Sequence, residues 1–201
     1  MLEIDNRVIV PKVGFMLDSK AKILKAALKL FITEGFDGTS TAKIVKESGV
    51  SNGTLFHYFK TKEDLINKLY ITIKDDYRRY LLEHMKSCDT SKGKIKHLWY
   101  CCAQWHVDNE DSMTFFDMFS NSPYIDKLSK EEASRNFNFI NELFLDAIKD
   151  EILINVSPNL LTYSFYSSIQ AFYKYIKDYS ENPGEYQDIA FRMWWRSVAN
   201  I

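Results

Sequence analysis

From Asp18 almost to the C-terminus, apolar residues recur three and four positions apart, and no stretch alternates apolar with polar residues over the length of a strand. The first spacing lines one face of a helix, whereas a half-buried strand needs the second. The chain is therefore predicted to be all-α, with about nine helices packed on one another. Ile23, Ala27, Leu30 and Phe31 mark a first helix over 18–35, with Lys20, Lys22, Lys25 and Lys29 on its other side. Asp18 or Ser19 caps its start, and Gly35 stands where a C-terminal residue takes positive φ at little cost. A second, two-turn helix follows Thr39-Ser40-Thr41 and ends at Ser48, with Ile44 and Val45 inward. A third runs over 52–58. A fourth, 62–86, opens on Thr61-Lys62-Glu63-Asp64 and carries Leu65, Ile66, Leu69, Ile73, Tyr77 and Leu81 at helical spacing. Further helices are expected at 92–108, 111–121, 129–154, 158–180 and 184–200, separated by polar breaks and prolines.

With 201 residues, 46% of them hydrophobic, the chain can bury a sizeable core, which excludes a disulfide-stapled miniprotein. Its apolar runs fall far short of the ~18 residues that cross a bilayer, so no membrane partner is expected. The net charge of -1 is unevenly placed. Residues 1–70 hold 11 basic and 8 acidic side chains, and residues 71–201 hold 15 and 19, a modestly cationic head on an acidic body. Three cysteines, Cys88, Cys101 and Cys102, without a signal-like N-terminus, suit a reducing cytoplasm. Residues 1–17 lack the helical pattern and read as an arm. The Lys12-Val13-Gly14 codons can spell a purine-rich ribosome-binding stretch before Met16, so translation starting at Met16 is an expectation that N-terminal mass spectrometry would test.

Gly49-Val50-Ser51 is a three-residue break between two short helices: Gly49 frees the turn, Val50 plugs the core and Ser51 caps the second helix. A plain αα-hairpin also has this layout. A helix that enters the DNA major groove needs small or hydrogen-bonding residues on its open face, and Ser51-Asn52-Gly53-Thr54 supplies them. Leu55 and Phe59, at i and i+4, anchor its inner side, leaving Asn52, Gly53, Thr54, His57 and Tyr58 toward solvent or phosphate.

Ala26-Ala27-Leu28-Lys29-Leu30-Phe31, Glu34-Gly35-Phe36, Thr39-Ser40-Thr41, Ile44, Gly49-Val50-Ser51 and the run from Gly53 to Leu65 together resemble the DNA-binding domain of the TetR family of transcriptional regulators. The match spans about residues 18–66, with the helix-turn-helix near 41–60 and a regulatory and dimerisation domain over 67–201. The resemblance implies that Thr41, Thr54, Tyr58 and Lys62 meet phosphates and that Asn52 and His57 read bases, with Gly53 allowing close approach. Asn paired with adenine is worth about 1–3 kcal/mol of discrimination. Two departures stand out: Ala42 replaces a longer polar reader, and Asn52 stands where many members are basic. Affinity should then lean on dimer avidity, the lysines of the first helix, Lys60 and Lys62.

Of the aromatic residues, 7 lie in residues 1–70 and 23 beyond, so the body is the aromatic-rich part. By resemblance, the middle helices enclose a small effector and the last two pair subunits. Candidate pocket residues are Trp99, Trp105, Phe115, Phe116, Phe119, Phe137 and Tyr166, with Asp117 interrupting the aromatic run and able to attract a cation. An aromatic stripe at helical spacing also serves as plain core. Ser164, Ser168, Ala171 and Phe172, with Met193 and Trp194, are candidates for the dimer interface. The resemblance implies a ligand-responsive repressor that binds a palindromic operator on double-stranded DNA as a homodimer. It needs no cofactor.

Two rivals remain open. His97 with Cys101, and Cys102 with His106, are i,i+4 pairs, which suits a metal- or thiol-responsive regulator, although the pairs point about 100° apart. A helical enzyme or a scaffold is the other. Neither a Gly-rich phosphate loop, a Gly-x-Ser-x-Gly elbow nor a His-Glu-x-x-His helix is present, and His57, His84, His97 and His106 form no evident catalytic pattern.

Overall fold

The computed structural model describes residues 18–85, 88–124, 137–179 and 182–200. Among them run nine helices: α1 Ser19–Gly38, α2 Thr41–Ser48, α3 Asn52–Tyr58, α4 Lys62–His84, α5 Ser91–Asp108, α6 Glu110–Ser120, α7 Asn138–Lys149, α8 Pro158–Tyr179 and α9 Pro183–Val198. The expected arm at residues 1–17 and the proposed start at Met16 lie outside the described residues. Packing divides the chain into a head, residues 18–69 with 111–124, and a body, residues 70–110 with the described residues from 137 onward. The division falls inside α4. Residues 111–124 group with the head although α5 and α7 belong to the body.

The head is built on capped, broken helices. Asp18 accepts from the Lys20 amide at the start of α1, and the helix is interrupted at Gly35, where φ is 76°. That break turns Phe36 back against Phe31, with ring centroids 5.3 Å apart, and against Phe115 at 5.7 Å. Thr39 is fully buried, and its hydroxyl donates to the carbonyls of Leu30 at 3.1 Å and Gly35 at 2.8 Å, on either side of the break. Ser40 caps α2 by accepting from the Lys43 amide, and Gly49 closes it at φ 70°. Ile23, Ala27, Phe31, Ile44, Leu55, Phe59, Leu65 and Ile66 are sealed from solvent and form one apolar centre.

In the body, α5 packs on α7, α8 and α9, and α8 packs on both α7 and α9. Tryptophans tie these helices together through polar handles: Trp99 Nε1 donates to Ser168 Oγ at 2.9 Å, and Trp194 Nε1 donates to Ser164 Oγ at 3.0 Å. Asp188 on α9 accepts from Lys96 at 2.7 Å and from the Tyr100 hydroxyl at 2.8 Å, contacts that hold its carboxyl below the usual range.

The helix expected over 129–154 is corrected. Residues 125–136 lie outside the described residues, and α7 ends at Lys149. Glu151 takes φ 56°, and the chain then pairs Leu153 with Ala199 in an isolated antiparallel bridge, with the Ile154 amide donating to the Val198 carbonyl at 2.9 Å. No glycine or proline marks this turn. A tertiary partner supplies the hydrogen bonds that helix continuation would otherwise provide.

Candidate nucleic-acid interface

α3 has seven residues, fewer than two full turns, and tertiary packing must hold it. Ser51 caps it: its Oγ accepts from the Thr54 amide at 3.1 Å and pairs with the Thr54 hydroxyl at 2.8 Å. Leu55 and Phe59 are fully buried beneath it, as their i,i+4 spacing predicts. Asn52, Gly53 and His57 are exposed, and Thr54 and Tyr58 are half-buried on the opposite flank. The His57 and Tyr58 rings meet edge-on at 5.2 Å, and the Tyr58 hydroxyl lies 3.4 Å from the Asp18 carboxylate. Thr41, in the first turn of α2, is also half-buried. Phe56, which periodicity did not single out, is 44% exposed on the same short helix. Only the burial of its neighbours reveals it.

Lys62, expected to meet a phosphate, bonds to backbone within the head. Its ammonium donates to the carbonyl oxygens of Phe36 at 2.8 Å and Thr39 at 3.1 Å, tying the start of α4 to the end of α1. Sequence spacing cannot foresee this, because the acceptors are backbone atoms more than twenty residues away. Lys60 remains exposed at the C-terminal end of α3, its amide held by Asp64 at 2.9 Å. On α1, Lys29 pairs with Glu47 at 2.6 Å. Lys22, Lys25 and Lys29 line, with Glu47 and Asp111, an open groove of about 560 Å³ on the head.

The candidate effector residues are divided between the two units. Phe115 and Phe119 are fully buried in the head, beside Phe31 and Phe36, while Phe116 is half-buried and Asp117 exposed. Trp99, Trp105, Phe137 and Tyr166 belong to the body. There Tyr77 packs 4.4 Å from Trp105, 5.6 Å from Phe137 and 6.0 Å from the buried His106. The Lys74 ammonium lies 4.9 Å from the Phe137 centroid, and burial lowers its pKa against the raising effect of Asp75. Burial, followed by the nearby Cys102 thiol, pushes the Tyr77 and Tyr166 phenols well above their usual range.

The histidine–cysteine pairs diverge. Cys101 Sγ lies 3.6 Å from His97 Nε2, which also bonds the His84 carbonyl at 2.8 Å. His106 Nδ1 bonds the Cys102 carbonyl rather than its thiol, and burial drives that thiol's pKa upward. No group of three or more His, Cys, Asp or Glu able to hold a metal occurs among the described residues.

Of the dimer candidates, Ser164, Ser168, Phe172 and Trp194 have partners inside the subunit. The two serines accept from tryptophans, and Phe172 and Trp194 are buried. Ala171 and Met193 face solvent. Exposed apolar residues on the same two helices are Leu160, Tyr163, Tyr175 and Tyr179 on α8, which periodicity does not single out, and Ile189 on α9.

Two short helices joined at a left-handed glycine, the second capped and open to solvent along its polar side, define a helix-turn-helix protein. Residues 23–69 match the family described as bacterial regulatory proteins, tetR family, and residues 63–186 match the tetracyclin repressor-like C-terminal domain. The chain belongs to the TetR family of bacterial transcriptional regulators.

Its relatives carry the same assignment. The HTH-type transcriptional regulator QacR of Staphylococcus aureus is 35% identical over 79 residues, 39% of this chain and 42% of that one. The HTH-type transcriptional regulator SAB2452 of S. aureus is 25% identical over 161 residues, 78% of this chain and 82% of that one. Over several such alignments the chain spans about two fifths of the length of the curated relatives it matches. The crystal structure of a TetR family transcription regulator from Shewanella sp. PV-4 superposes with a TM-score of 0.83 at 29% identity, covering 90% of this chain and 98% of that one. These relatives are transcriptional regulators, not enzymes. No helix among the described residues is long and apolar enough to cross a membrane.

Proposed function

We propose that the protein is a DNA-binding repressor that holds a palindromic operator as a homodimer and releases it when a small effector binds the body. The observation that carries the DNA-binding part is the open side of α3, where Asn52, Gly53 and His57 stand exposed over a core sealed by Leu55 and Phe59. Asn52 offers the amide that matches adenine in the major groove. Thr41, Thr54 and Tyr58 offer hydroxyls toward the phosphates on either side, contacts that position without reading sequence.

The pairing of subunits is supported by the outer face of the last two helices. Leu160, Tyr163, Tyr175, Tyr179, Ile189 and Met193 are all at least 41% exposed, a cost to an isolated chain that a two-fold partner would remove. Two recognition helices about 34–36 Å apart then demand a palindrome. Release is a matter of linkage: an effector that favours a subunit geometry with mis-spaced α3 helices must weaken operator binding by the same factor that the operator weakens effector binding. α4, whose residues belong to both head and body, is the lever. The deciding experiment is a gel shift of the purified protein on duplex from its own upstream region, with and without small molecules extracted from cells. A saturable complex that weakens steeply with salt and dissociates on adding effector is expected. Absence of any duplex preference, or a tighter complex with effector, would reject it.

A further inference from the structure

Phe56 is the one large apolar side chain left exposed among the described residues of the head, at 44%. The other two apolar anchors of this segment, Leu55 and Phe59, are wholly sealed. At about 100° per residue, Phe56 lies about 40° around α3 from Asn52 and about 6 Å further along its axis, so the two share one flank. Rings pack around Tyr58, which meets His57 at 5.2 Å and Phe59 at 6.3 Å, but the fold leaves Phe56 open. A phenyl group held in water beside an amide that matches adenine calls for an apolar partner next to a polar one. In the major groove, the one methyl group that base edges present is the C5-methyl of thymine.

Resting on the DNA-binding reading above, we infer that Phe56 is a specificity-determining residue whose ring covers a thymine methyl. Six ångströms of helix correspond to about two base steps of about 3.4 Å. The half-site therefore carries, about two steps from the adenine paired with Asn52, an A·T pair whose methyl faces the ring. Asn52 and Phe56 together read a short A·T-containing word, one by hydrogen bonds and the other by apolar contact.

The test uses the full-length protein and an operator obtained by selection from random duplexes. Each thymine in the half-site is replaced singly by uracil, which removes the methyl and nothing else. Wild-type protein should lose about fourfold in affinity at one thymine per half-site, the worth of one buried methyl. Phe56→Ala should bind the thymine and uracil duplexes equally, while Phe56→Leu, still apolar, should keep part of the discrimination. Circular dichroism should show both variants folded, since the core beneath α3 is sealed by Leu55 and Phe59. If no uracil replacement weakens the wild type, or if Phe56→Ala still distinguishes uracil from thymine, the ring packs on sugar or solvent and the inference is overturned. Selection that yields no preferred duplex would overturn the DNA-binding reading itself, and this inference with it.

Discussion

The ammonium of Lys62 lies 2.8 Å from the carbonyl oxygen of Phe36, so the first residue of α4 is fastened to the chain just after the Gly35 break in α1. Its second acceptor, the Thr39 carbonyl, stands at the entrance to α2. One side chain thereby joins three helices of the head. A charge-assisted hydrogen bond is worth about 1.5–3 kcal/mol when its acceptor is shielded from water. Lys62→Met is expected to destabilise the protein by roughly 1–3 kcal/mol in urea unfolding. The salt slope of operator binding should stay unchanged. Lys60→Ala should do the reverse, leaving stability intact and lowering the slope by about two across a dimer, one phosphate per subunit. A Lys62 variant that lowers the slope without loss of stability would return that side chain to the DNA.

The turn before α3 is expected to be equally unforgiving. Gly49 holds φ 70°, where a Cβ costs about 1–2 kcal/mol even though no neighbouring atom would obstruct it. Gly49→Ala should therefore lower the melting temperature, and Ser51→Ala should cost about 1 kcal/mol by stripping the cap from the Thr54 amide. Both should weaken operator binding through the population of correctly folded head. Their ranking of operator sequences should match the wild type, which a competition binding assay would read directly.

Met193 and Trp194 are adjacent on α9 but should fail in different ways. Met193 is 70% exposed and lies with Ile189 on the outer face, so Met193→Asp should leave helicity and melting of the dilute protein nearly unchanged while dissociating the dimer in sedimentation velocity. Trp194 is 5% exposed, packs 5.1 Å from Phe165 and donates to Ser164. Trp194→Ala should cost about 3–5 kcal/mol, a loss visible in chemical unfolding at any protein concentration.

Alkaline solution should unfold the body. Burial raises the Tyr80 phenol from 10.0 to about 12, with the Cys101 thiol the next contributor, and Tyr77 and Tyr166 move in the same direction. A group whose folded pKa exceeds its unfolded value contributes stability that is fully present below the unfolded pKa and lost as pH rises through the folded one. Melting temperature should thus fall progressively above pH 10, and Tyr80→Phe should make that fall shallower. A flat profile from pH 9 to 11.5 would contradict it.

Much of the head was legible from residue order alone, because its signals are local. Asp18, Ser40 and Ser51 each cap a helix where a hydroxyl or carboxylate precedes the apolar pattern, and Gly35 and Gly49 take the positive φ that their positions predict. The inward turn of Lys62 and the exposure of Phe56 were not legible, since a lysine in a first turn and a phenylalanine in a helix each have several compatible surroundings. In the body, period alone could not separate Phe115 and Phe119, which join the head's core, from Trp99 and Trp105, which join the body's.

The sequence by itself determined the helices, their caps and the polar string from Ser51 to Thr54, because hydrogen bonds within a few residues and a 3.6-residue period depend on near neighbours alone. Tertiary structure decided which face of each helix stayed open: that Ser164 and Ser168 turn inward to tryptophans, that α7 stops for a bridge to Ala199, and that Phe56 remains in water. Those outcomes depend on surfaces that meet only after distant segments have packed, and burial at any one position is a property of the whole arrangement.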